Sequence, residues 1–245
     1  MKPKHHLRGF TMAEILVTIA IIAVLGILIF LVANRAKQSA TAAKTLNNLR
    51  EIGACSGLWM SENNNYFPPT WDNTNGANRS YAQVLDPYMH GAPTYRKPDS
   101  KFIGPDKRLI VKVNDFSHPI TYTMNRAVCR DLTSNGRPGE SLVHASKVAN
   151  PSNVILMADG CQNPGNLGQT NASAYRLFAV TGQTGPQGKA SQAIPIGPDT
   201  DTSAGDGWFR YPGGKAPALM CDGSAKSFAK GSILFRNIWI DTVVE

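Results

Sequence analysis

Residues 10–33 read FTMAEILVTIAIIAVLGILIFLVA and contain a single charged side chain, Glu14. A helix of this length would extend about 36 Å at about 1.5 Å per residue, enough to cross the hydrocarbon core of a bilayer. A conventional secretory signal has a shorter apolar region, of about 7 to 15 residues, followed by a small-residue cleavage site. The stretch therefore predicts a transmembrane helix over 10–33.

Glu14 is the unusual residue of this segment. A carboxylate at the centre of a bilayer costs about 2.5 to 3.5 kcal/mol on insertion scales, so a compensating partner is expected. The alternative is that Glu14, only a turn inside the apolar run, reaches the headgroups. Charges on the two flanks do not decide the orientation, because three basic residues lie on each side. They are Lys2, Lys4 and Arg8 before the run and Arg35, Lys37 and Lys44 after it.

The residues from Arg8 to Glu14, RGFTMAE, followed by ILVTIAIIAVL, resemble the class III signal of type IV prepilins and type II secretion pseudopilins. The resemblance implies that a prepilin peptidase cuts after Gly9 and methylates the new amino group of Phe10. It also implies that the basic leader, residues 1–9, is removed. In that family the glutamate at the position of Glu14 pairs with the N-terminal ammonium of a neighbouring subunit, which would supply the missing partner.

Helix-forming residues continue beyond the apolar run, with no proline before Pro68. Apolar side chains recur at spacings of three and four, which predicts an amphipathic continuation over 34–62 whose apolar face packs on a sheet. The stripe consists of Ala42, Leu46, Leu49, Ile52, Cys55 and Trp59.

The remaining segment, 63–245, is predicted to form a globular domain rich in antiparallel β-structure. Its candidate strands are LIVKV (109–113), ITYTM (120–124), NVILMA (153–158), YRLFAV (175–180), ALMC (218–221) and ILFRNIWI (233–240). Asp222–Gly223 predicts a two-residue type I′ hairpin, and Asp159–Gly160 repeats the same signal. Residues 181–206 are expected to form a long surface loop. The predicted fold class is α+β and pilin-like, with the long helix packed on the antiparallel sheet.

Five further segments, in chain order, resemble the pseudopilin-like family of prepilin-type processing-associated H-x9-DG proteins. They are LNNLREIG (46–53), NNNYFPPTW (63–71), ITYTMN (120–125), NPSNVILMADG (150–160) and GGKAPALMCDGSAKSF (213–228). The histidine that names the family is replaced by Pro212, ten residues before Asp222.

Cofactor and catalytic signals are weak. The four cysteines lie far apart in the sequence, with no C-x-x-C pair that would indicate a metal site. The sequence is compatible either with two disulfides or with four separate buried thiols. His118, His144 and Asp159 match no hydrolase motif, and no enzymatic activity is expected. Oxygen-bearing residues at alternate positions suggest calcium, but the loop departs from the EF-hand pattern at its glycine and its glutamate, so a solvated turn is preferred. They are Asp199, Asp201, Ser203 and Asp206.

Basic residues exceed acidic ones by 25 to 17, a net charge of +8, but they are scattered, and no nucleic-acid partner is expected. The preferred interpretation is a structural subunit of a type IV pilus or type II secretion pseudopilus. Its expected partners are prepilin peptidase, other pilin or pseudopilin subunits, the assembly platform and the lipid membrane. The expected location is the inner membrane, single-pass, with a cytoplasmic N-terminus and the globular domain exported to the periplasm or cell surface. The alternatives are a membrane-anchored exported binding protein for a glycan or surface polymer and, third, an exported hydrolase.

Overall fold

The computed structural model describes most of the chain. The described residues are 11–74, 79–89, 91, 100–105, 121–133, 142–161, 190–200 and 208–240. They belong to two compact units, Met1–Ala40 and Thr41–Glu245. Helix α1 contributes residues to both units.

Helix α1 runs from Met12 to Glu62, which confirms the prediction of one long N-terminal helix. It ends at a run of asparagines, and residues 64 and 65 adopt left-handed backbone with φ of 52° and 59°. Asparagine tolerates this conformation better than most residues, and it commonly terminates helices. The amide N–H of residue 65 donates to the carbonyl of Met60 at 2.8 Å, closing the last turn.

The buried face of α1 belongs to the second unit. It coincides with the predicted apolar stripe except at two of the six predicted positions. Four members of the stripe are buried, whereas Ala42 and Leu46 are only half-buried. The polar residues Thr45 and Asn48 are buried instead. Asn48 keeps hydrogen bonds there, donating to the hydroxyl of Tyr122 at 3.4 Å, which limits the cost of burying its amide.

Besides the end of α1, the described residues of the second unit form seven short strands and one short α-helix. They are β1 (Trp71–Asn73), β2 (Arg79–Ser80), α2 (Tyr81–Leu85), β3 (Tyr122–Met124), β4 (Leu132–Thr133), β5 (Ile155–Asp159), β6 (Lys215–Met220) and β7 (Ala225–Ala229). A small sheet has the order β2-β1-β4, with the β1–β4 pair parallel. The larger sheet has the order β3-β5-β6-β7 and is antiparallel throughout. The α+β class is therefore confirmed.

Both faces of the larger sheet are covered, so its central strands are buried along almost their whole length. One face packs in the cluster that contains Leu49 and Ile52 of α1. The other packs in a second cluster with Phe209 and the C-terminal residues Ile233 and Phe235. Strands covered on both sides appear in sequence as continuous apolar runs, which explains why NVILMA and ALMC show no alternation.

The β6–β7 hairpin is present, but its turn is not the predicted type I′. A type I′ turn would need left-handed backbone at Asp222 and Gly223, whereas only Gly223 has it, with φ of 83°. The N–H of Gly223 donates to the carbonyl of Met220 at 3.0 Å, and Met220 N–H donates to Ser224 at 2.7 Å. The loop therefore has three residues, ending in a glycine bulge. Asp222 caps it by accepting hydrogen bonds from Ser224 through Oδ1.

The second predicted turn, Asp159–Gly160, is wrong. Asp159 ends β5, and Gly160 continues extended to form a bridge with Phe209. The β5–β6 register ends at the Ala158–Ala218 pair, and the next residue of β6, Pro217, has no N–H to donate. The Asp159 carbonyl instead accepts the N–H of Arg210 at 2.9 Å. The chain therefore changes partner here without reversing direction.

The predicted strand over 233–240 is also wrong. Leu234 makes one bridge, and a 3₁₀ turn follows at Phe235–Asn237. The side chain of Asn237 accepts the N–H of Leu234 at 2.8 Å, which favours the turn over an extended strand. Phe235 and Ile238, three residues apart, then bury their side chains in the same cluster.

Three other predictions fall wholly or partly on residues that the structure does not describe. The strands at 109–113 and 175–180 lie outside the described residues. The long loop over 181–206 is described only at 190–200, where no strand is found and Ile194 is buried.

Candidate functional site

The start of α1 is the candidate site. Thr11 precedes the helix, and its N–H donates to Oε2 of Glu14 at 2.8 Å. The Thr11 hydroxyl donates to the same oxygen at 2.9 Å, and the Glu14 N–H donates back to that hydroxyl at 3.3 Å. This reciprocal arrangement is a capping box, which satisfies donors that the first turn of a helix otherwise leaves unpaired.

Beyond Glu14, α1 presents an unbroken apolar surface. Every residue from Thr11 to Ala40 is exposed, and the large apolar side chains from Ile15 to Val32 are each 48–68% exposed. Among the described residues, α1 is the one helix long and apolar enough to cross a membrane. An exposed apolar surface of this extent is costly in water and typical of membrane or protein contact. The segment is therefore suited to anchoring the chain in a membrane.

The predicted site residues are only partly described. Gly9 and Phe10, the predicted cleavage and methylation positions, lie outside the described residues. Glu14 lies in the first turn of α1, and its carboxylate is held by the chain itself. Sequence reasoning missed Thr11, although T-x-x-E before an apolar run is a recognised capping-box signature.

A buried ion pair lies at the end of β5. Nε of Arg210 is 3.4 Å from Oδ1 of Asp159, and each side chain is at most 2% exposed. Arg210 also donates to the Gly160 carbonyl at 3.2 Å. The charge of Asp159 also acts on Tyr122. Burial and, to a smaller extent, this charge raise the pKa of the Tyr122 hydroxyl. The pair joins the end of β5 to the segment that enters β6, and we assign it a structural role.

The three residues considered for a hydrolytic site are not brought together in the described part of the chain. His144 caps a 3₁₀ turn, where its Nδ1 accepts the Ser146 N–H at 3.2 Å. Asp159 pairs with Arg210, and His118 lies outside the described residues.

The predicted calcium residues are mostly outside the described part of the chain. Only Asp199 is described, and its Oδ1 accepts the Tyr211 N–H at 3.0 Å while its Oδ2 pairs with Lys230 at 3.1 Å. Among the described residues, no group of three or more His, Cys, Asp or Glu side chains could hold a metal ion.

The four cysteines, all among the described residues, are not joined in disulfides. Cys55, Cys129 and Cys161 are buried, and Cys221 is half-buried in the β6–β7 turn. Burial raises the pKa of both Cys129 and Cys221, which lowers the thiolate fraction on which their reactivity depends.

A shallow groove of about 310 Å³ lies between α1 and the β6–β7 turn. Gly53, a buried residue, lines this groove, and an added Cβ there would lie 2.7 Å from Leu219 Cδ1. Gly57, an exposed residue, also lines it, and no atom lies within 4 Å of an added Cβ there. The absence of a side chain at Gly53 therefore permits the close approach of the hairpin to α1. At Gly57 the packing does not require a glycine.

The model of the prokaryotic N-terminal methylation motif matches residues 5–30. The chain carries a prepilin-type N-terminus. This match covers the predicted cleavage position, the capping box and most of the apolar run, and it supports a pilin-like or pseudopilin-like precursor. No curated protein and no solved structure matches the chain.

Proposed function

We propose that the chain is a structural subunit that prepilin peptidase processes between Gly9 and Phe10 and that assembles into a type IV pilus or type II secretion pseudopilus. The match of the methylation motif to residues 5–30 carries this proposal. In it, the peptidase methylates the Phe10 amine, and other subunits and an assembly platform are the partners. The globular unit is exported to the periplasm or cell surface.

The apolar part of α1 supports the proposal. Its exposed side chains suit it to the hydrocarbon core before assembly and to packing against the same segment of other subunits afterwards. In the proposed assembly the contact between neighbouring apolar segments is head-to-tail and does not close into a ring, so its repetition produces a helical filament. One surface can therefore serve both the stored and the assembled subunit.

Glu14 supplies the specific interaction. Its carboxylate lies in the apolar segment, where an unpaired charge is costly. Pairing with the Phe10 ammonium of a neighbouring subunit compensates both charges and also fixes the axial register of the two helices. In a helix that only anchors the chain, this carboxylate would cap its own first turn but would have no oppositely charged partner.

The segments that resemble the H-x9-DG proteins favour the pseudopilin-like branch of this class. Two of them, NPSNVILMADG and GGKAPALMCDGSAKSF, contain the central strands β5 and β6. We propose membership of that family on this resemblance, with Pro212 in place of its histidine.

The test compares wild type with Glu14→Leu in a host that has prepilin peptidase and an assembly system. The sheared, assembled fraction is measured at matched levels of the protein in the membrane. Removing the carboxylate lowers the cost of membrane insertion, so membrane levels should be equal or higher. Assembly should fall, since the neighbouring ammonium loses its partner in apolar surroundings.

Glu51→Gln is the matched control, because Glu51 is an exposed carboxylate of the same helix outside the apolar run. It should assemble as wild type does. Equal recovery of Glu14→Leu and wild type in the assembled fraction would contradict the proposal and favour a membrane-anchored binding protein.

A further inference from the structure

The first turn of α1 holds Glu14 through Thr11. Two donors of Thr11, its N–H and its hydroxyl, converge on Oε2 of Glu14 at 2.8 and 2.9 Å. The hydroxyl also accepts the Glu14 N–H at 3.3 Å. Two of these three bonds therefore need the hydroxyl of Thr11.

These bonds restrict the carboxylate. A glutamate side chain without such contacts samples many rotamers, and ordering it on binding opposes association. Here both donors of Thr11 bind the same oxygen, and none of these three bonds uses Oε1. In hydrocarbon no water competes for the donors, so the arrangement is retained after insertion.

We propose that Thr11 is a positioning residue for assembly. The Thr11 hydroxyl orients the Glu14 carboxylate. Oε2 then caps the first turn of α1, while Oε1 accepts a hydrogen bond from the N-terminal ammonium of the neighbouring subunit. The inference rests on the proposed function, because it requires that Glu14 pairs between subunits. The self-cap and the inter-subunit pair are then simultaneous, and neither has to be broken to form the other.

The test uses the full-length chain and three substitutions. Thr11→Val keeps the side-chain shape and removes the hydroxyl, whereas Thr11→Ser keeps the hydroxyl. Thr18→Val is the matched control, because the Thr18 hydroxyl donates to the Ile15 carbonyl at 2.8 Å on the same helix. Each tagged variant is expressed as a minority beside untagged wild type, so that weak incorporation into filaments remains measurable.

Incorporation of Thr11→Val should fall by about tenfold, the scale expected for losing one hydrogen bond to a charged group. Thr11→Ser and Thr18→Val should stay within about twofold of wild type. Mass spectrometry of the membrane pool should show unchanged processing of all three. Normal incorporation of Thr11→Val, an equal defect in Thr11→Ser, or a processing defect that accounts for the loss would each overturn the inference.

A double substitution separates positioning from a general effect on the helix. If Thr11 acts only through Glu14, adding Thr11→Val to Glu14→Leu should cause no further loss of incorporation. A double variant whose fold-loss of incorporation equals the product of the two single-variant losses would overturn the inference. Normal incorporation of Glu14→Leu alone would remove the proposed function itself, whereas a defect in Glu14→Leu with none in Thr11→Val would remove only the role of Thr11.

Discussion

Gly53→Ala and Gly57→Ala lie one turn apart on α1, yet they should change stability in opposite directions. A Cβ at 53 would lie 2.7 Å from Leu219 Cδ1 and 3.3 Å from the Gly223 carbonyl oxygen. Leu219 is fully buried and cannot move aside cheaply. Overpacking of this kind costs about 1 to 3 kcal/mol, while the helix preference of alanine returns about 0.8 to 1 kcal/mol. The balance at position 53 is a net loss of about 1 kcal/mol.

At Gly57 no atom lies within 4 Å of the added Cβ, so only the helix preference remains. That substitution should gain up to about 1 kcal/mol, which separates the two variants by about 2 kcal/mol. The assay is thermal unfolding, followed by circular dichroism, of the chain from Arg35 onward. Gly57→Ala should melt about 4 to 8 °C above Gly53→Ala. Equal melting temperatures, or the reverse order, would show that the hairpin does not pack against α1 at position 53.

Three other predictions concern the same globular unit. The chain from Arg35 onward should be soluble and unfold in one cooperative transition, because its core does not use the apolar segment; a non-cooperative transition under both oxidising and reducing conditions would contradict this. Asp159→Asn should lower the free energy of unfolding in urea by about 3 to 5 kcal/mol, since it leaves the buried Arg210 without its ion pair; a loss below about 1 kcal/mol would refute it. Burial raises the pKa of Asp72, but the hydrogen bonds from Thr74 together with the hydrogen bond and charge of Arg79 outweigh it and lower the pKa from its ordinary value of 3.8. Its contribution to stability is therefore present above pH 3.8 and lost as pH falls through the folded pKa, so Asp72→Asn should reduce the acid sensitivity of the urea midpoint.

Helix α1 was predictable because its signals are local and long. The apolar run and the spacing of Leu49, Ile52 and Trp59 specify a helix and its packed face without knowledge of the rest of the chain. Its end at Glu62 follows from the asparagines behind it. The buried positions of polar residues were not predictable, since the hydrogen bond of Asn48 depends on a strand 74 residues away.

The turns were harder to predict because the same dipeptide has different partners. Asp222–Gly223 makes a hairpin, whereas Asp159–Gly160 stays extended, since Pro217 leaves the Asp159 carbonyl available to Arg210. At the candidate site, the sequence identified Glu14 from its charge in an apolar run. The T-x-x-E spacing also encodes the capping role of Thr11, a local role that the charge of Glu14 alone does not indicate.

The mature N-terminus tests the central claim most directly. The measurement is mass spectrometry of the intact protein extracted from membranes of a host with prepilin peptidase. A processed subunit should begin at Phe10 with a methylated amino group and lack residues 1–9. A chain that retains Met1, or one cleaved near Ala33, would contradict the account.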